Sequence, residues 1–208
     1  MLITPPEIEV YLDNLLAKRH PVFLEMEARA AREDFPAIGP QVGSLLELLV
    51  RSVGAKQVID LGSGYGYSAL WLAKAVAPQG RVILTEASEV NLCDAKRYFE
   101  RAGLIASAEF RLGNAVDIFK QETGPFDIIF NDVDKEDYCE VITLAFERLR
   151  PGGLLITDNT LWYGEVVKAD PDETTEAILR HNRILAEHEG FVTTQLPLRD
   201  GVSISLKL

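Results

Sequence analysis

From residue 57 onward, short apolar runs alternate with longer amphipathic stretches, and this alternation limits the fold more than any other feature of the chain. "QVIDLG", "RVILTE", "AEFRLG", "FDIIFND" and "GGLLITDN" have the length and apolar content of strands inside a sheet. Between them, "YSALWLAKAVA", "EVNLCDAKRYFERAG", "AVDIFKQE" and "EVITLAFERLR" read as helices. Repeated β-α predicts a mostly parallel sheet with helices on both faces, a doubly wound α/β fold. The tail departs from this pattern. After a helix near "ETTEAILRHNRILAEHEG", the runs "FVTTQLPL" and "GVSISLKL" flank "RDG". Asp200-Gly201 is a hairpin signal, so the sheet is expected to end in an antiparallel pair. The first 55 residues are helical in pattern. "PPEIEVYLDNLLAK" spaces Ile8, Tyr11, Leu12, Leu15 and Leu16 along one face, and two more helices are expected through "VFLEMEARAAREDF" and "PQVGSLLELLVRSVG". The 208 residues are expected to form one domain, a helical cap over 1–55 on a core over 56–208.

A formal net charge of −11 argues against a general binder of nucleic acid or anionic membrane, since both need a basic face. No apolar run approaches the roughly 18 residues of a membrane span, and "MLITPPEIEV" lacks the basic and apolar regions of a leader. Cys93 and Cys139 fall in no CxxC or metal-ligand pattern, as expected of reduced thiols in a cytoplasmic protein. His20, His181 and His188 share no ligand spacing and are expected to pack or face solvent.

"VIDLGSGYGYSALW" carries a strand, then Gly62, Gly64 and Gly66, then a helix. Such glycines let the backbone turn tightly and approach a ligand, although three turn glycines would look the same. A dinucleotide fingerprint would place glycine at position 67, where Tyr67 stands. Two carboxylates add direction. Asp60 ends the first strand, and Glu86 ends the second, where an acid can accept from both hydroxyls of a ribose. Ser68, at the following helix start, suits a carboxylate. An acid at position 60 suits an ammonium better than a pyrophosphate, so the set fits an amino-acid-bearing nucleoside, S-adenosylmethionine (SAM).

Ligands of open α/β sheets bind beyond the carboxyl ends of the strands. Asp132 follows "FDIIFN", and Asp158-Asn159 follow "GLLIT". If those strands are neighbours, two carboxylates and an amide converge, a donor set suited to Mg²⁺ or another hard cation such as Ca²⁺ or Mn²⁺. Lys135 would project close by. Read alone, "DVDKED" could equally cap a helix with a solvated ion pair.

With these residues in order, the chain resembles the cation-dependent O-methyltransferases of small molecules, the group of the catechol and caffeoyl-CoA enzymes. The stations are "DLGSGYGYSALWLA", "LTEAS", "GNA", "FDIIFNDVDKEDY", "LRPGGLLITDNTLWYGEV" and "LPLRDGVSISLK". The resemblance implies a Rossmann-like class I methyltransferase sheet. It also implies metal ligation by Asp132, Asp158 and Asn159, with Lys135 as the catalytic base. Ile38, Asp60, Gly62, Ser63, Ser68, Glu86 and Ala115 would hold SAM, with Asp134 beside them, and Trp162 and Tyr163 would line the acceptor pocket. A homodimer is implied too. Asp60 replaces the usual glutamate of the family, Tyr163 stands where the plant enzymes often carry Asn, and Gly64 replaces a bulky residue, which would widen the cofactor pocket on that side.

The expected reaction is transfer of a methyl group from SAM to one of two adjacent phenolic hydroxyls, with Lys135 taking the proton. Two other classes compete. A metal-independent or macromolecule-directed methyltransferase is disfavoured by the acidic charge and the complete Asp132, Asp158, Asn159 set. A dinucleotide-binding oxidoreductase or a non-catalytic nucleotide-binding module is disfavoured by Tyr67 and by Lys135 within that set.

Overall fold

Alternate residues of the central strands bury into opposite layers, which is how β-strands with no solvated face must be built. In β1 (Gln57–Leu61), Val58 packs on one side of the sheet and Ile59 and Leu61 on the other. The computed structural model describes residues 3–208; Met1 and Leu2, which open the stretch read for a leader, lie outside them. The remaining elements of the core are α4 (Tyr67–Val76), β2 (Arg81–Glu86), α5 (Glu89–Arg101), β3 (Ala108–Leu112), α6 (Ala115–Gln121), β4 (Phe126–Asn131), α7 (Tyr138–Arg148), β5 (Leu149–Thr157), α8 (Glu173–Glu187), β6 (Phe191–Leu196) and β7 (Val202–Lys207). They follow α1 (Pro6–Leu15), α2 (Pro21–Glu33) and α3 (Gly39–Ser52).

The sheet order is β3-β2-β1-β4-β5-β7-β6, with β7 antiparallel to both of its neighbours and the other pairs parallel. The expected α/β class, mostly parallel sheet and terminal antiparallel pair are therefore all present. On one face Val58, Leu84, Phe130 and Ile156 pack with α2, α3, α4 and α5 residues such as Phe23, Leu46, Trp71 and Phe99. The other face joins Ile59, Ile129 and Leu155 to Phe119, Val141 and Leu185 from α6, α7 and α8. Each such large side chain contributes about 1.5–3 kcal/mol by leaving water. The chain leaves β1 outward to β2 and β3, then returns to β4 on the other side of β1. That reversal opens a crevice between the carboxyl ends of β1 and β4.

α1 buries none of its residues: Ile8, Tyr11 and Leu15 are 48%, 60% and 64% exposed, and Leu12 and Leu16 are half-buried. Gln41 of α3 ties the helix down, its Nε2 donating to Glu9 O at 3.2 Å and to Asp13 Oδ1 at 3.0 Å. One expectation changes. The β6–β7 connection is a five-residue loop, 197–201, rather than a tight Asp-Gly turn. Its tip is drawn onto the segment after β5: Thr160 N donates to Gly201 O at 3.1 Å, and Leu161 N donates to Asp200 O at 2.9 Å. Among the described residues, no helix is long and apolar enough to cross a membrane.

Candidate active site

The crevice is a cleft of about 1280 Å³, larger than the ~300–1,000 Å³ of a usual single-ligand pocket, so it has room for two small molecules. Ile38, Gly62, Ser63, Ser68, Glu86, Ala115, Asp132, Asp134, Lys135, Asp158, Asn159, Trp162 and Tyr163 all line it. Asp60 lies just beneath, fully buried.

On the β1–β2 side, backbone and hydroxyl groups organise the glycine loop. Gly62 has φ +85°, and a Cβ there would lie 2.4 Å from the Asp132 carbonyl oxygen, so this position admits only glycine without moving β4. Thr85, buried in β2, accepts from Gly62 N at 3.1 Å and donates to Asp60 O at 3.1 Å, while its carbonyl accepts from Ser63 N at 2.9 Å. Ser68, in the first turn of α4, donates to Asp60 Oδ2 at 2.7 Å. Among the described residues, Asp60 Oδ1 has no hydrogen-bond partner. A buried carboxylate oxygen without a donor is costly, and a ligand ammonium would satisfy it. Burial pushes the Asp60 carboxyl up to about 7, against the lowering effect of the Ser68 hydroxyl. Glu86 Oε1 accepts from Ser88 N at 2.7 Å, which fixes the carboxylate at the mouth of the loop.

The glycine at 64 leaves no gap. A Cβ there would stand 2.9 Å from Phe35 Cζ, and the Phe35 ring packs on Tyr65 with centroids 4.5 Å apart. The expected widening is thus corrected: an aromatic ring from the α2–α3 connection fills that volume. Ile38, 6% exposed, sits at the end of the same connection, before α3.

On the β4–β5 side, charge is crowded. The strands are parallel neighbours with Asn131 opposite Thr157, so the next residues, Asp132 and Asp158, emerge side by side. Asp158 is 4% exposed, and burial together with the charge of Asp132 pushes its carboxyl up to about 8. Burial raises Asp132 as well, opposed by Lys135. Lys135 Nζ reaches into this group, 2.9 Å from Asn159 Oδ1 and 3.3 Å from Asp132 Oδ1 and from Val133 O. It also lies 4.9 Å from the Tyr138 ring and 5.5 Å from the Trp162 ring. An ammonium amid these oxygens shows that the cluster favours positive charge. Among the described residues, no group of three His, Cys, Asp or Glu could hold a metal ion. The donor set here is instead two carboxylates and an amide, all oxygen, and it fits a hard divalent cation.

The segment after β5 is strained. Asn159, Trp162 and Tyr163 have φ values of 56°, 45° and 51°, each about 1–3 kcal/mol above an ordinary backbone. Neighbouring groups hold it there. Tyr138 OH donates to Asp158 O at 2.9 Å, Asn182 Nδ2 donates to Thr160 O at 2.8 Å, and Tyr163 N donates to Asp200 Oδ1. Sequence reasoning gave no role to Thr85, Phe35, Tyr138 or Asp200. In sequence Asp200 is turn chemistry alone, because nothing local shows that its loop folds back onto Asn159. The histidines divide: His20 is exposed and caps α2, half-buried His188 accepts from Gly190 N, and His181 is buried against Tyr138, where burial lowers it to about 4.

Comparison with known proteins places the chain in a family. Residues 14–208 match a family model described as O-methyltransferase. A catechol O-methyltransferase of Niastella koreensis is 31% identical over 96% of both chains, and one of Mycobacterium tuberculosis is 30% identical over 92% of this chain and 89% of that one. The crystal structure of the O-methyltransferase TomG from Streptomyces achromogenes in complex with SAM superposes with a TM-score of 0.88 at 30% identity, covering 97% of this chain and 96% of that one. The chain belongs to the O-methyltransferase family.

Proposed function

We propose that this protein is a SAM-dependent, divalent-cation-dependent O-methyltransferase of small phenols with two adjacent hydroxyls. The observation that carries the reading is the Lys135 ammonium among Asp132, Asn159 and the neighbouring Asp158, at the end of a cleft with room for a second ligand. The names of the catechol-methylating relatives and SAM in the TomG structure support it.

In this reading the unpartnered Asp60 oxygen receives the ligand ammonium, Glu86 takes the ribose hydroxyls, and Ile38, Gly62, Ser63, Ala115 and Asp134 form the walls. Asp132, Asp158 and Asn159 would hold the cation, which when bound supplies Lewis acidity and lowers the pKa of a coordinated phenol. Trp162 and Tyr163 orient the aromatic ring. Entering the step as the neutral amine, Lys135 would take the phenolic proton at Nζ and pass it to water, while the new O–C bond forms and the S–C bond of SAM breaks, with the electron pair left on sulfur. Alignment in a closed cleft supplies much of the acceleration, up to ~7–11 kcal/mol in well-oriented cases. The expected homodimer would cover the exposed side of α1, and sedimentation tests this.

The test is methyl transfer from SAM to catechol with Mg²⁺ or with EDTA. Turnover that requires the cation supports the reading. A metal-independent transferase is the second reading, favoured by the same contact, since Lys135 already brings a positive charge to these oxygens. Full turnover in EDTA would select it.

A further inference from the structure

We infer that Arg199 determines acceptor specificity by binding an anionic substituent, such as a carboxylate, carried on the acceptor ring. The inference rests on the acceptor class proposed above and goes further, to the charge of the acceptor. Among the described residues lining the cleft, Lys135 and Arg199 are its two cationic side chains. Their states differ. Lys135 is committed to Asn159, Asp132 and the Val133 carbonyl, and is mostly buried. Arg199 is exposed, and among the described residues it forms no ion pair within 4.0 Å, although its charge is felt by the Asp158 and Asp200 carboxyls. Its contact with protein oxygen is one long hydrogen bond, 3.5 Å from Nη2 to the Ala37 carbonyl. A guanidinium presents five donors in a planar fork suited to a carboxylate, and here that fork is almost unused.

Its placement is specific. Arg199 immediately precedes Asp200, whose carboxylate lies 3.5 Å from Asn159 Nδ2 and accepts from Tyr163 N. The backbone of Arg199 is thereby tied to the acceptor end of the cleft, and its own φ is 50°. The side chain then crosses toward the α2–α3 connection and lies against Gly39, where a Cβ would stand 2.4 Å from Nη1. A glycine at 39 leaves the slot through which the guanidinium spans the mouth. An acceptor ring lying along Trp162 and Tyr163, with its hydroxyls at Asp132 and Asp158, would turn its far side toward this fork.

The experiment compares catechol with 3,4-dihydroxybenzoate, using wild type, Arg199→Gln and Arg199→Lys at constant ionic strength. The expected result is that Arg199→Gln lowers kcat/KM for 3,4-dihydroxybenzoate about 10- to 100-fold more than for catechol. The excess is expected mainly in KM, with Arg199→Lys recovering part of it and calorimetric SAM affinity tracking the folded state of each variant. Equal losses on both acceptors would overturn the inference and leave Arg199 as a strut between the two walls. If wild type methylates neither diphenol, the acceptor class itself fails, and this inference falls with it.

Discussion

The two halves of the cleft solve opposite electrostatic problems. At the ends of β1 and β2, one buried carboxylate is held by one hydroxyl, and Asp60 Oδ1 is left without a donor. At the ends of β4 and β5, buried acids stand together and the chain supplies its own cation, Lys135. In the proposed function, the first half is completed by an incoming ammonium. The second is already partly neutralised, so anything cationic that enters must displace or reorient Lys135. A protein can hold a charged ligand either by leaving a buried charge unmatched or by over-supplying one sign and compensating internally. The proposed function assigns one device to each side of the switch point.

The contrast predicts different phenotypes for the two sides. Asp158→Ala should have the largest effect, about a 1,000-fold or greater loss of methyl transfer together with loss of the Mg²⁺ response, measured as initial rate against Mg²⁺ concentration. Lys135→Ala should lower kcat about 10²–10⁴-fold while SAM still binds, which single-turnover kinetics and calorimetry separate. Unchanged turnover would remove Lys135 as the base. Asp60→Asn belongs to the other half and should weaken SAM binding about 10- to 100-fold, from loss of a charge-assisted contact. Its pH profile gives the sign. An acid raised to about 7 is protonated below that pH, so wild-type affinity for SAM should fall as pH drops through 7. The Asn variant should lose that slope. The smallest expected effect is Phe35→Ala, a several-fold loss of SAM affinity from the unfilled space beside Gly64.

The legibility of the sequence also divides along the chain. Strand periods, the glycine loop and the acids at strand ends are local signals, and they led to the sheet, the cleft and the main cluster. The pairing of Asp132 with Asp158 needed only that β4 and β5 be neighbours, and their parallel register makes them so. What stayed hidden depends on distant segments meeting. Asp200 and Arg199 reach the site because the β6–β7 loop docks on residues 160–163, and a turn motif carries no sign of where its tip lands. Phe35 fills the space beside Gly64 from a connection 29 positions earlier, so the glycine alone suggested a void. α1 forms where its periodicity predicts, but amphipathicity alone does not say how far the apolar side is covered, and Ile8, Tyr11 and Leu15 are exposed.

The measurement to make first is calorimetric titration of SAM with EDTA or with Mg²⁺, paired with methyl transfer to catechol under the same two conditions. If the halves are independent in binding and joined in chemistry, SAM should bind with similar affinity in both conditions, and transfer should occur with Mg²⁺ alone. Loss of SAM binding in EDTA, or transfer that survives it, would contradict the division of labour between the two sides of the cleft.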